Sequence, residues 1–370
     1  MGLSYQAAVL HAAQTPMAVE TVTLAELKPA DVLVKIRAAG LCHTDLEVIE
    51  GSLRYPMPIV PGHEAAGIVE RIGPAARGVK AGDHVVLSWN PHCGHCFYCD
   101  RDAPILCEQY LGEGPKALAF DGESRARLAD GRPLQQLMFL GAFGEYCVVS
   151  DQQAIPVPKE IPFDRACLIG CGVMTGAGAA LNLGAIARGD TVMVIGCGAV
   201  GLAAVQGARL AGAGSIIAVD IDPAKLALAA KMGATLGIDA SKDDPAEAGK
   251  RATGGRGVDV VIEAAGSAAA FRVSPEAVRP GGHLIWLGKI DVNKDVAFRW
   301  GSLMQEKRIR RVSYGNARPR RDFPLLARAF LDGELMLDEL ISRRIKLDGI
   351  NEGFAALKRG ETIRSVIIFD

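Results

Sequence analysis

Four cysteines crowd the stretch CGHCFYCDRDAPILC, as Cys93, Cys96, Cys99 and Cys107. The spacing C-x2-C-x2-C-x7-C allows four thiolates to close around one tetrahedral ion. Four cysteine ligands leave no open position, so such a site holds the chain together and performs no chemistry. A thioredoxin-type role for one C-x-x-C pair is the alternative, and the third and fourth cysteines argue against it. A nucleic-acid zinc ribbon is a further one, and the neutral charge and missing basic flanks argue against that. Chemistry then has to come from other residues. Cys42 in GLCHTDLE, His63 in VPGHEAAGIVE and Cys171 in IGCGVMTG would give two sulfurs and one nitrogen, a set that keeps one position for water or substrate. Spacing alone does not join residues so far apart, and a lone Cys or His is more often core or surface.

A second chemistry lies in VMVIGCGAVG, where Gly196, Gly198 and Gly201 form G-x-G-x-x-G after an apolar strand and at the start of a helix. That arrangement allows a tight turn, close approach of a pyrophosphate and close helix–strand packing, with free N–H groups at the helix start. The next strand, IIAV, runs into Asp220, whose carboxylate suits the two ribose hydroxyls of NAD and repels the extra phosphate of NADP.

These residues need two kinds of scaffold. The first ~155 residues alternate short apolar runs with glycine and proline (VLVKIRAAG, GIVERIG, DHVVLSW, EYCVV) and read as β-rich. From about 172, strands alternate with helices: TVMVIG, a helix over 199–211, SIIAVD, a helix over 223–232, VDVVIEAAG and HLIWLG. That alternation predicts a parallel sheet covered on both faces. The segment 241–257 reads as surface helix and loop, and ARPRRDF at 317–323 as a basic surface loop. The final strand, RSVIIFD, needs a sheet and is expected to return to the first domain.

The chain has 370 residues, enough for two domains. Hydrophobic content of 49% and a formal net charge of -1 describe a globular protein without the basic excess that would attract nucleic acid or an acidic membrane surface. The first residues lack a signal-peptide pattern. No stretch reads as a membrane span, because the most apolar region, around 166–187, is broken by glycines and Thr175. The expected compartment is the cytoplasm, where disulfides are disfavoured, and the nine cysteines are an odd number.

Taken in order, GLCHTD, GHEAAGIVE, the four-cysteine loop, IGCGVMTGAG, IGCGAVG with AVDID, and INEGFAALKRGETIRSVI resemble the zinc-dependent medium-chain alcohol dehydrogenases over nearly the whole chain. The stretch from DGESRARLADGRPLQQLMFLGAFGEYCVV is similar to the longer, class III-like branch. The resemblance implies an α/β protein. A GroES-like, β-rich catalytic domain (1–171 and 315–370) would surround an inserted NAD-binding Rossmann domain, a doubly wound parallel sheet (172–314). It implies two Zn2+ per chain, a catalytic ion on Cys42, His63 and Cys171 and a structural one on Cys93, Cys96, Cys99 and Cys107. Glu64 matches the acidic residue beside the catalytic metal, and Asp45 the carboxylate that orients the histidine ligand. Thr175 matches a nicotinamide contact, His43 and Arg364 groups beside the cofactor pyrophosphate, and Lys225 a lysine near the adenosine ribose. Cys147, Cys167 and Cys197 match no ligand position and read as small core residues.

The implied reaction is reversible hydride transfer between a primary alcohol and NAD, with zinc lowering the pKa of the alcohol hydroxyl. Thr44 would pass the proton toward the ribose. Three residues on, where many relatives carry histidine, this chain has Glu47, whose carboxyl is a poorer match to neutral pH. Trp89, Phe139 and Leu140 suggest a pocket for an apolar, aromatic or allylic alcohol. Lys289 would meet a substrate carboxylate, or else be solvated. Glutathione-dependent formaldehyde dehydrogenases carry an arginine at the position of Leu111, which argues against glutathione adducts. A thiol-cofactor-dependent formaldehyde dehydrogenase and a non-enzymatic protein on the same fold are the competing readings. A zinc-free quinone reductase is disfavoured by both cysteine sets. The expected partner is a small-molecule alcohol or aldehyde, and the expected assembly a homodimer or a tetramer.

Overall fold

The computed structural model describes residues 3–370. The chain divides into two compact units, one formed by the chain up to Cys171 with Arg318–Gly333 and Leu337–Asp370, the other by Gly172–Ala317 with Glu334–Met336.

The first unit is built on a seven-stranded sheet. Its long central strand, Asp31–Gly40, pairs antiparallel with Glu64–Ile72, with Tyr146–Ser150 and with the C-terminal strand Arg364–Ile368. Strand Asp31–Gly40 is buried along most of its length, as a strand paired on both sides in the middle of a sheet should be. Gly40 lies opposite both Glu64 and Val366. A Cβ at Gly40 would come within 2.5 Å of the Glu64 carboxylate, so only glycine leaves room for that side chain. The strand then runs through Leu41 into Cys42, which starts the helix His43–Glu50. One register thus sets Cys42, Glu64 and Arg364 around the same point. A separate five-stranded sheet includes Ser4–Val9 and Ala18–Leu24.

The basic segment expected to be a surface loop is instead the start of a helix, Pro319–Leu331. Proline at its first position is preorganised for a helix, and the buried Asp322 carboxylate accepts from the Arg318 backbone N–H at 2.7 Å. Arg318 donates to Asp102 at 3.0 Å and Arg320 to the Asp151 carbonyl at 3.0 Å, so the arginines tie the helix to the cysteine lobe and its neighbour.

The second unit is a six-stranded parallel sheet in the order Leu236–Asp239, Ser215–Asp220, Thr191–Ile195, Val258–Glu263, Val278–Trp286, Arg308–Arg311. Numbered along the chain, the order is 3-2-1-4-5-6, that of the doubly wound dinucleotide-binding fold, with its switch point beside the first strand. Met193, Ile217, Val219, Val261 and Leu284 fill the core under its helices.

The apolar region around 166–187 forms one helical run, Phe163–Leu183, long and apolar enough by length and composition to cross a membrane. This corrects the reading that its glycines and Thr175 interrupt it. Glycine and threonine are tolerated in a helix whose faces are packed, and 72% of the apolar window is buried, as in a core helix. Among the described residues it is the one such helix.

Candidate active site and cysteine lobe

Cys42, His63, Glu64 and Cys171 come together in the first unit, with their donor atoms within 4.8 Å of one another. Cys42 precedes the helix His43–Glu50, His63 immediately precedes strand Glu64–Ile72, which Glu64 opens, and Cys171 lies on a wide π turn, Ile169–Val173. Such turns displace a side chain from the regular helical surface and recur at functional sites. His63 and Glu64 are fully buried and Cys171 half-buried.

Asp45 organises the set. One carboxylate oxygen accepts from the Gly62 N–H at 2.9 Å and pairs with His63 Nδ1 at 3.0 Å, and the other accepts from the Cys42 N–H at 3.2 Å. An ionised carboxylate only accepts, so Nδ1 carries the proton and Nε2 presents its lone pair. Nε2 is buried with no hydrogen-bond partner. A buried nitrogen lone pair beside two sulfurs is costly alone and well matched to a zinc ion. Arg364, also buried, donates to Glu64 at 3.2 Å and approaches the Cys42 sulfur at 3.7 Å. Burial pushes the Glu64 carboxyl up to about 7 against the opposing pull of Arg364. The Cys42 thiol is drawn well below its ordinary value, first by its hydrogen bond with Cys171 and despite burial, with Arg364 and His63 adding to the pull. The site therefore favours thiolate at Cys42, the form that ligates metal.

Cys93, Cys96, Cys99 and Cys107 form the second group, again within 4.8 Å. The Cys93 N–H donates to the Cys107 sulfur at 3.2 Å, and Gly94 takes φ +81 to turn the chain between the first ligands. The Cys96 thiol is lowered to about 6, chiefly by the Glu108 backbone N–H. All nine cysteines are free thiols, so no disulfide competes for these four. Cys147, Cys167 and Cys197 are buried, and burial pushes Cys197 up to about 12.

In the second unit, Gly196 has φ +92, and a Cβ there would strike Ala265 N at 2.6 Å. A Cβ at Gly201 would sit 1.7 Å from the Gly196 carbonyl, whereas one at Gly198 meets nothing within 4 Å. Gly198 thus faces the open space a pyrophosphate needs, at the uncapped start of helix Ala199–Leu210. Asp220 accepts from the Cys197 N–H at 2.7 Å and from Ile221 and Asp222 at 2.8 and 3.0 Å, which fixes the carboxylate against the glycine turn. Lys225 is half-buried and its charge acts on Cys197 in the same turn. The donor set fits a dinucleotide.

The remaining predicted residues lie in both units. His43 is exposed and Thr44 half-buried on the helix after Cys42, with Glu47 one turn further along it. Thr175 is half-buried in the second unit, and Lys289 is exposed there. Trp89 is 9% exposed, but Phe139 and Leu140 are 1% and 2% exposed and lie behind the surface. Phe139 packs on Tyr110 at 5.4 Å between ring centres, and Tyr110 on Trp89 at 6.2 Å. Tyr110 is the residue the sequence reading missed. Its position three residues after Cys107 is the signal that could have found it, since the cysteine lobe fixes where the following helix, Glu108–Glu113, begins.

Residues 28–159 match the model of the alcohol dehydrogenase GroES-like domain, and residues 199–332 that of the zinc-binding dehydrogenases. The chain is 36% identical to an NDMA-dependent alcohol dehydrogenase of Amycolatopsis methanolica, covering 98% of each. It is 36% identical to an S-(hydroxymethyl)glutathione dehydrogenase of Aspergillus oryzae, over 98% of this chain and 95% of that one. Among solved structures, benzyl alcohol dehydrogenase of Acinetobacter calcoaceticus superposes with a TM-score of 0.92 at 30% identity, each chain covered in full.

Proposed function

Since the chain belongs to the zinc-dependent medium-chain alcohol dehydrogenase family and is an NAD-dependent zinc enzyme of that kind, we propose that it interconverts bulky primary alcohols, aromatic or allylic, and their aldehydes. The observation that carries this reading is the aromatic wall formed by Trp89 and Tyr110 in the unit that holds the Cys42–His63–Cys171 set. Flat apolar side chains of this kind take up a flat apolar substrate.

When bound on Cys42, His63 and Cys171, zinc supplies Lewis acidity toward the substrate oxygen, and NAD supplies the hydride acceptor. The protein's part is positioning. Asp45 holds His63 in the tautomer that offers Nε2 and restrains Cys42 through its backbone. Arg364 offsets the negative charge of Glu64 and Cys42 in a buried setting. We assign Thr44 the role of passing the alcohol proton toward the ribose hydroxyl of the cofactor, and Glu47 follows on the same face of its helix. Gly196, Gly198, Gly201, Asp220 and Lys225 would hold the dinucleotide, with His43 and Thr175 as further contacts. The four-cysteine group would hold the second zinc. We place the protein in the cytoplasm as a homodimer, with a small-molecule alcohol as its partner.

A second reading is supported by the glutathione-linked relative: oxidation of an S-(hydroxymethyl) thiol adduct. Leu111, 53% exposed, offers such an adduct's carboxylates no charge. The deciding test is NADH formation across ethanol, hexanol, benzyl and cinnamyl alcohol, an ω-hydroxy acid, and formaldehyde with and without glutathione. Turnover of benzyl and cinnamyl alcohol without thiol is expected. Activity confined to formaldehyde plus thiol would overturn the proposal in favour of the second reading.

A further inference from the structure

The aromatic wall carries more than apolar surface. Tyr110 and Tyr55 are both half-buried tyrosines of the first unit. Tyr110 packs at a tilt between Trp89 and Phe139, and Phe139 in turn packs edge-on against Phe120 at 5.5 Å. The ring is therefore held from both sides, and helix Glu108–Glu113, which carries it, starts directly at Cys107. Among the described residues neither phenol makes a hydrogen bond within the protein. Burial raises both phenols, and Tyr55 lies close enough to Tyr110 to add to the rise there. A tyrosine phenol is neutral at physiological pH, and each hydroxyl can donate one hydrogen bond and accept others.

A partnerless phenol tolerates half-burial while water reaches it. Once a flat apolar substrate covers Trp89 and Tyr110, that water is expelled, and an unmet hydroxyl becomes costly. A substrate that brings its own oxygen to that place removes the cost. A neutral phenol pair matches a neutral hydroxyl or ether oxygen better than a carboxylate, which would call for a cation.

From this arrangement we infer that Tyr110 and Tyr55 are specificity-determining residues that select aromatic alcohols bearing a second oxygen on the ring, with the cysteine lobe setting the position of Tyr110. This deepens, and rests on, the proposal that aromatic alcohols are the substrates.

The test compares benzyl alcohol with 3- and 4-hydroxybenzyl and 4-methoxybenzyl alcohol, using NAD without thiol, in the wild-type enzyme, Tyr110→Phe, Tyr55→Phe and the double variant. Phenylalanine keeps each ring and removes only the hydroxyl, and zinc content and melting temperature verify that the variants are folded. The expected wild-type result is kcat/KM higher by roughly three- to tenfold for the best oxygenated substrate than for benzyl alcohol, carried mainly by KM. That ratio is expected to fall toward one in Tyr110→Phe and in the double variant. A merely structural role would lower both substrates together and leave the ratio in place. A wild-type ratio near one, or a ratio unchanged by the substitutions while benzyl alcohol is turned over, overturns the inference and leaves the alcohol dehydrogenase proposal standing. Absence of thiol-free turnover of every alcohol overturns both.

Discussion

His63 donates from Nδ1 to a carboxylate oxygen of Asp45 over 3.0 Å, with both side chains shut away from solvent. This contact decides which ring nitrogen is left to bind metal. The Asp45 carboxylate also receives the backbone N–H groups of Gly62 and Cys42, so one side chain sets two of the three proposed ligands of the catalytic ion.

Asp45→Asn is therefore expected to act on the metal before it acts on the fold. The amide keeps one acceptor for His63 but turns an NH2 group toward the Cys42 N–H, where two donors face each other. Zinc affinity and activity should fall by about 10–100-fold. Zinc retention against a graded chelator, with kcat/KM on a primary alcohol, checks this. Full retention by a folded variant would show that the contact does not orient His63.

The two metal groups are expected to separate cleanly by mutation. Cys171→Ala should lose one of two zinc ions and nearly all activity while melting close to the wild type, because the site keeps an open position and its other members are held by Asp45 and Arg364. Cys107→Ala should also lose one zinc ion, but with a marked drop in melting temperature, since a closed four-thiolate site is itself a source of folding energy. Metal analysis beside thermal denaturation gives both numbers.

The glycine turn supplies a paired contrast. Gly201→Ala places a methyl 1.7 Å from the Gly196 carbonyl and should destabilise the second unit by several kcal/mol, on the order of other severe overpacking. Gly198→Ala meets nothing within 4 Å, so it should fold normally and lose NAD affinity instead. Chemical denaturation and NADH fluorescence titration distinguish the two outcomes.

Acid should weaken the ion-pair network beside the first sheet. Burial alone would raise Asp121, but hydrogen bonds from Arg125 and Lys28, at 2.7 and 2.8 Å, hold it near 2 against an ordinary 3.8. A depressed carboxyl binds fewer protons in the folded state, so its contribution is present above pH 3.8 and is lost as pH falls toward 2. Asp121→Asn should lower stability at neutral pH and flatten that part of the pH profile. Because Asp121 is well exposed, the effect should be modest and should shrink with added salt.

The local features were open to sequence reading. The four cysteines lie on one short loop, and G-x-G-x-x-G lies on one strand–turn–helix unit, so spacing alone describes their geometry. The basic ARPRRDF segment misled, because its arginines find acidic and carbonyl partners at Asp102 and Asp151, far away in the chain. The helical run Phe163–Leu183 misled in the same way: glycine and threonine look like interruptions until the packing around them is known.

By itself, the order of residues determined which donors exist, that Cys93, Cys96, Cys99 and Cys107 can share one ion, and that a strand must deliver Gly196 to a helix start. Those depend on covalent spacing and local conformational preference. Tertiary structure alone decided that Glu64 meets Arg364, that Gly40 makes space for the Glu64 carboxylate, that a π turn swings Cys171 toward Cys42, and that Tyr110 packs against Trp89. Each depends on the register of strands or the packing of helices whose residues are separated by tens to hundreds of positions, and a one-residue slip in a strand would send those side chains to the opposite face.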